Sequence, residues 1–384
     1  MATLLTINTT PDAINAAYRE IKWSATSTDA NIKAVICDVY INGSYSSTIN
    51  GVRILGTTDQ FTFDIRKIMQ SVLVSELRTN ITSFAVSSAD LSSKNVKIRL
   101  FEVVESGGVF TSTWAAAGAG TNYLESSTYA VTNTATQHQE SLSVWTADTV
   151  NKRLLTMSLN NKRIPRGVPF QIGFLGSDTN YTAQYETFDV DNNSLGTTAS
   201  GFPVALTSKK GIIEIPSSAF VAANVAFIEV ILREGGGAVR SQTFRFKISD
   251  ECNLFPLFFQ NHLGGFDHFN FGAKKVVNIN TTNQRMTKPL SSGFSSEDAG
   301  TTIVSSKVSE KVEVYCSSLS ANELVFLEEL IKNHSVVYKW DDDGVFLSYV
   351  VTSHSTKVED NDGLINTIKI TLQPSNQHIV QNGD

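Results

Sequence analysis

A few groups of residues in this 384-residue chain have types and spacings that could do chemistry. His262, Asp267 and His268 lie close together. A histidine beside a carboxylate can ligate zinc or move a proton. Their spacing matches no zinc motif and no nucleophile is near, so packing with polar edges satisfied by backbone is the expected role. Asp341, Asp342 and Asp343 look like part of a calcium loop. The alternate-ligand spacing and late glutamate of an EF-hand are missing, and Asp343-Gly344 suits a hairpin turn. Glu328-Glu329 and the pair Asp360 and Asp362 could supply two glycosidase carboxylates, but a solvated helix face and a loop explain them. The glycine stretches at 107, 118 and 235 do not link a strand to a helix, so they are not phosphate cradles. No Gly-x-Ser-x-Gly, His-Glu-x-x-His or P-loop occurs. The expectation is no enzyme, no catalytic residue, no metal site and no cofactor.

Composition narrows the class further. Charged residues make up only 18%, below the usual quarter. Ser, Thr and Asn fill the gap and favour strands and turns. The net charge of −6 and the lack of a basic run argue against binding to a phosphate backbone. Cys37, Cys252 and Cys316 are too few and too far apart for a disulfide framework. The N-terminus does not read as a signal peptide, and no apolar run approaches a membrane span.

Three regions are expected to build the fold. Residues 1–160 form a sandwich-like β domain. Val35, Cys37, Val39 and Ile41 alternate before Asn42-Gly43, a strong hairpin signal. Asp64 is placed to cap a helix over 65–73, and 96–104 is a strand. A long insertion at about 106–148 has no firm periodicity and carries Trp114, Tyr123, Tyr129 and Trp145. It either docks on a neighbour or folds back on its own domain. Residues 161–250 contain five short strands with glycine-rich turns, as in an immunoglobulin- or fibronectin-like sandwich. Residues 251–384 form an α+β domain. There Ser320 and Glu323 make a capping box before an apolar helix face of Leu324, Leu327 and Ile331. The fold class is thus mainly β: antiparallel sandwich domains in series with a C-terminal α+β domain.

The third region opens on the segment 252–271, which holds six phenylalanines in twenty residues around a Gly-Gly break. Phe255, Phe258, Phe259, Leu263, Gly264, Gly265, Phe266, Phe269 and Phe271 are candidates for a packing junction or a subunit interface. Trp114 and Tyr123 of the insertion are candidates for a second one.

The Leu263-Gly264-Gly265-Phe266-Asp267 core, followed by Phe269, Phe271 and Lys274-Lys275, resembles a motif in virion structural proteins of phages infecting Bacteroidetes. The segment Ala17-Tyr18-Arg19-Glu20-Ile21 and the C-terminal helix, Val-x-Tyr strand and Val-Val-Thr-x-Ser strand are similar to the same proteins. The resemblance implies a tail, neck or baseplate component. Such a protein is made in the bacterial cytoplasm and assembles with itself and other virion proteins as a ring or collar. The insertion at 106–148 has no counterpart in that pattern. An alternative is a host-recognition adhesin or carbohydrate-binding tail component, with Trp114 and Tyr123 as aromatic platforms.

Overall fold

The structure is a computed structural model. It describes residues 5–54, 59–112, 123–133, 154–158, 160, 162–176, 180–201, 204–234, 238–239, 241–250, 254–272, 275–287, 293, 301–332, 337–341, 343–357, 366–375 and 379–381. Antiparallel sheets dominate, with two α-helices, α1 (Arg66–Val72) and α2 (Ala321–Lys332), among the described residues.

The chain gathers into two compact units, each drawn from separate stretches of the sequence. One takes Met1–Thr156, Pro169–Phe246 and His262–Phe266; the other takes Met157–Val168, Lys247–Asn261 and Asp267–Asp384. Strand pairing shows the reason within the first unit. Ala85–Ser88, from the N-terminal region, pairs with Lys210–Ile215, whose other neighbour is Phe170–Leu175. A sheet shared by distant segments has no local sequence signal.

The first unit holds a sandwich. Its four-stranded sheet runs Leu5–Thr9, Lys22–Ser27, Gln60–Asp64, Val52–Arg53, and its larger sheet runs Ile14–Ala16, Tyr129–Thr132, Ser93–Ser106, Ile32–Ile41, Ser44–Asn50. Alternate residues of both sheets meet in one core: Trp23, Ala25, Phe61 and Phe63 from the first, Val35, Cys37, Val39, Ile98 and Leu100 from the second. That is the period-two logic of a half-buried strand. Asn42 (φ 49°) and Gly43 (φ 82°) make the expected two-residue turn. Helix α1 seats Met69 in this core. Asp64 stands one residue earlier than the N-cap, Ile65, and its carboxylate accepts from the Arg66 N–H at 2.9 Å.

Of the region 106–148, residues 106–112 and 123–133 are described. Val109–Ser112, Leu124–Glu125 and Tyr129–Thr132 all pair with Ser93–Ser106. Ala130 and Val131 are buried, and Tyr129–Thr132 also forms a parallel pair with Ile14–Ala16. Tyr123 lies on its own domain, 5.9 Å from the Phe101 ring and with the Arg99 guanidinium 4.3 Å above it. Trp114 and Trp145 lie outside the described residues.

A further sheet places Asn180–Phe188 between Phe227–Glu234 and Ser194–Ala199 within the first unit. Tyr181, Ala183, Ile228, Val230 and Leu232 are buried on it.

The second unit is a sheet ordered Phe266–Phe271, Phe255–Gln260, Val337–Trp340, Phe346–Lys357, Asn366–Pro374, Thr301–Leu319, Lys275–Thr287. Helix α2 lays Phe326, Leu327 and Leu330 into its core. The capping box forms as expected. The Ser320 N–H donates to Glu323 Oε2 at 2.9 Å, and the Glu323 N–H donates to Ser320 Oγ at 3.2 Å. Ser320→Ala should cost about 1 kcal/mol of stability, read as a lower midpoint of urea unfolding with an unchanged slope. An unchanged midpoint would show that the cap contributes nothing here. Asp341 accepts from the Val345 N–H at 2.8 Å and Gly344 has φ 79°, so the acidic run is a hairpin turn; Asp342 lies outside the described residues.

Candidate functional site: the Gly-Gly junction and the exposed arm

The junction is built from two short strands, Phe255–Gln260 and Phe266–Phe271, and the tight turn between them. Phe255, Phe258, Phe259, Leu263, Phe266, Phe269 and Phe271 are all at most 5% exposed. Their side chains are therefore inside the chain rather than on its surface. In the second unit, Phe259 and Phe269 contact Phe326 of α2, with ring centroids 5.5 and 6.4 Å away. Phe258 meets Phe346 edge-on at 5.1 Å, and Phe255 meets Tyr349 at 6.4 Å. Such edge-to-face pairs add specificity to the area they bury.

The glycines have a separate reason. Within the first unit, a Cβ on Gly264 would lie 2.1 Å from the Asn133 carbonyl oxygen, and one on Gly265 would lie 1.9 Å from that of Leu155. Gly264 also has φ 82°. The turn rests directly on two stretches of backbone, and only a residue without a side chain permits that approach. The Lys210 ammonium, 2% exposed, donates to the Gly264 carbonyl at 2.7 Å. Glu76, also buried, supplies the nearby opposite charge; it accepts from the N–H groups of Leu91 and Ser92 and pairs with Arg78 at 2.8 Å.

The histidine cluster separates. Asp267 accepts from the Met157 N–H at 2.9 Å and the Asn261 amide at 2.8 Å. His268 is buried against Phe258, with Nε2 3.3 Å from the Arg163 carbonyl. Burial first, and the Lys162 charge second, push its pKa down to about 3, so it stays neutral. His262 is only partly buried. No three His, Cys, Asp or Glu come together as a metal-ligand set among the described residues.

Two lysines carry a measurable consequence. Burial pushes Lys210 down to about 8, against the pull of Glu76. Lys162 keeps part of its stem accessible, but its ammonium lies 3.2 Å from the Phe326 ring centroid and 4.7 Å from that of Phe269. Burial pushes it down to about 7, against Asp267, Glu323 and Cys316. In the unfolded chain a lysine titrates near about 10.4. Between about 8 and that value the unfolded state holds the extra proton on Lys210, so stability rises with pH across this window and is flat below it. The buried Cys37 thiol, pushed far up by burial, acts in the opposite direction at high pH. The comparison is therefore with Lys210→Met. Urea unfolding at the two ends of the window should show less alkaline gain in the variant than in the wild type. An equal gain in both would mean that folded Lys210 keeps its proton across the whole window.

The feature that sequence reading missed is a long hairpin arm. Lys275–Thr287 pairs with Thr301–Leu319 over nearly its whole length. Every residue from Val277 to Thr287 is exposed. Successive side chains of a strand alternate between faces, so neither face of this stretch is covered. Val277, Ile279, Met286 and Ile303 are exposed apolar side chains on the arm. Lys275–Thr287 also stands last in the sheet order, with no strand hydrogen-bonded to its outer side among the described residues.

No protein-family profile matches the chain, and no curated protein does. Among solved structures, it is similar to a chain of the virion of a native gene transfer agent particle, at 10% identity and TM-score 0.24, covering 35% of this chain and 99% of that one. It is similar to a chain from the tail of an empty gene transfer agent particle with C6 symmetry, at 10% identity and TM-score 0.25, with the same coverage. It is also similar to fibronectin(III)-like modules of Clostridium thermocellum CbhA, at 13% identity and TM-score 0.16, covering 64% of this chain and 92% of that one. Tail particles thus stand among its structural neighbours, but superpositions this loose carry no argument about function. None of them concerns phages of Bacteroidetes. No described helix is long and apolar enough to cross a membrane.

Proposed function

We propose that this chain is a structural protein of a phage virion, in the tail, neck or baseplate. It assembles with copies of itself as a ring or collar, together with other virion proteins, and has no catalytic role. The sequence resemblance supports the virion class and with it synthesis in the bacterial cytoplasm. The observation that carries the assembly reading is the exposed arm.

A long edge strand with open faces is normally blunted by prolines, inward charges or a covering segment, because it templates pairing with another chain. Lys275–Thr287 contains no proline, and its only charges are Lys275 and Arg285. An edge left open in this way fits strand addition by a neighbouring subunit. Head-to-tail addition closes into a ring when the rotation between subunits permits. The buried junction phenylalanines serve this by fixing the sheet that carries the arm. The candidate interface therefore moves from the junction to the arm.

The mass of the purified chain in solution, alone and mixed with its virion neighbours, tests the proposal. A closed oligomer, or association on mixing, is expected. A chain that stays monomeric under both conditions overturns it.

A further inference from the structure

A half-open cleft of about 480 Å³ lies in the first unit. Four segments form it: the Asn42-Gly43 turn with Tyr40, the Asp90 loop with the following strand at Asn95, Val96 and Lys97, Thr128, and the loop at Thr207-Ser208. Its size is that of small-molecule sites, with room for a mono- or disaccharide.

The polar groups of the cleft are held in place by one another. Asp90 Oδ1 accepts from the hydroxyls of Ser88, Thr207 and Ser208. Asn42 Oδ1 accepts from the Asn95 N–H at 2.9 Å, and Asn95 Nδ2 donates to the Thr207 carbonyl. Each of these contacts occupies one atom of a two-headed group. Asp90 Oδ2, Asn42 Nδ2, Asn95 Oδ1 and the Thr128 hydroxyl carry no hydrogen bond from the described residues. The cleft thus presents fixed acceptors and fixed donors side by side, beside the Tyr40 ring.

Charge narrows the ligand. The Lys97 ammonium is paired with Glu125 at 2.7 Å. The Ser88, Thr207 and Ser208 hydroxyls hold the Asp90 carboxyl below its ordinary range despite partial burial, and Lys94 adds to this. Asp90 is therefore an anion at neutral pH and disfavours an anionic ligand. One carboxylate is too few for a divalent cation. A neutral molecule with adjacent hydroxyls matches the set, because each hydroxyl both donates and accepts. We infer that this cleft is a binding site for a neutral saccharide.

The test is a panel of neutral mono- and disaccharides, titrated by calorimetry against the full chain. Asn42→Asp keeps the acceptor that holds Asn95 and tolerates the positive φ, but it removes the free amide donor. Thr128→Val removes the free hydroxyl and changes little else. Each should weaken binding about tenfold, with the unfolding midpoint unchanged. A wild-type chain that binds no sugar of the panel overturns the inference. So does binding confined to anionic glycans, or binding equal in wild type and both variants. None of these outcomes depends on whether the chain assembles.

Discussion

Gly265→Ala should be among the most damaging single substitutions in this protein. The added methyl would sit 1.9 Å from the Leu155 carbonyl oxygen. That oxygen is backbone, and Leu155 is itself held by an N–H donated to the Gly173 carbonyl at 2.7 Å. Neither side can give way by rotating a side chain, so the turn must move as a whole. The expected cost is about 3 kcal/mol or more, against a total stability of about 5–15 kcal/mol for a typical domain. Gly264→Ala combines a similar clash, 2.1 Å from the Asn133 oxygen, with a backbone at φ 82°.

The control is Gly43→Ala. It has the same φ of 82°, but nothing lies within 4 Å of the added atom. Only the strain of the left-handed conformation, about 1 kcal/mol or a little more, is expected there. Chemical denaturation of the three variants separates the two causes. If Gly265→Ala and Gly43→Ala cost the same, the close approach of the turn to Leu155 is not a feature of the folded protein.

The second large effect concerns the arm. Shortening it, by joining Asn280 to its partner Ser309 through a tight turn, should abolish the oligomer and leave the fold stable. The removed part of Lys275–Thr287 is exposed throughout; the deletion also takes Ser305–Lys307, the partners of Ile379–Gln381. Point variants sharpen this result. Thr281 and Thr282 face Val308 and Lys307 across the hairpin. In an antiparallel pair successive N–H groups alternate between the partner and the outer side. Of Thr281→Pro and Thr282→Pro, one therefore breaks the hairpin from within, and the other removes only an outward donor. If a neighbour adds at this edge, the second variant should lose assembly while keeping the wild-type unfolding midpoint. Ile279→Lys, at a side chain 66% exposed, should weaken association without loss of stability. Assembly unaffected by the shortened arm would remove the arm from the interface.

Much of the local structure was legible in the sequence. Asn42-Gly43 specifies its hairpin because both residues tolerate positive φ. Ser320 and Glu323 specify the start of α2 because the cap is a local exchange of hydrogen bonds. The strands of 161–250 follow from alternation and from turn residues. The aromatic density of 252–271 marked a buried segment, since six phenylalanines and three leucines there cannot all remain in water.

The rest was decided in three dimensions. The arm had no signal, because Asn and Thr on a strand exposed on both faces leave no hydrophobic period. Tyr129–Thr132 was hidden in a polar stretch because its burial comes from Ser93–Ser106 and from a parallel pair with Ile14–Ala16, both remote in the chain. The saccharide cleft joins residues from near 40, 90, 128 and 207 that share no motif. The sequence by itself determined that glycines stand at 264 and 265. Only the tertiary structure showed why: two carbonyl oxygens, of Asn133 and Leu155, occupy the space where any side chain would begin.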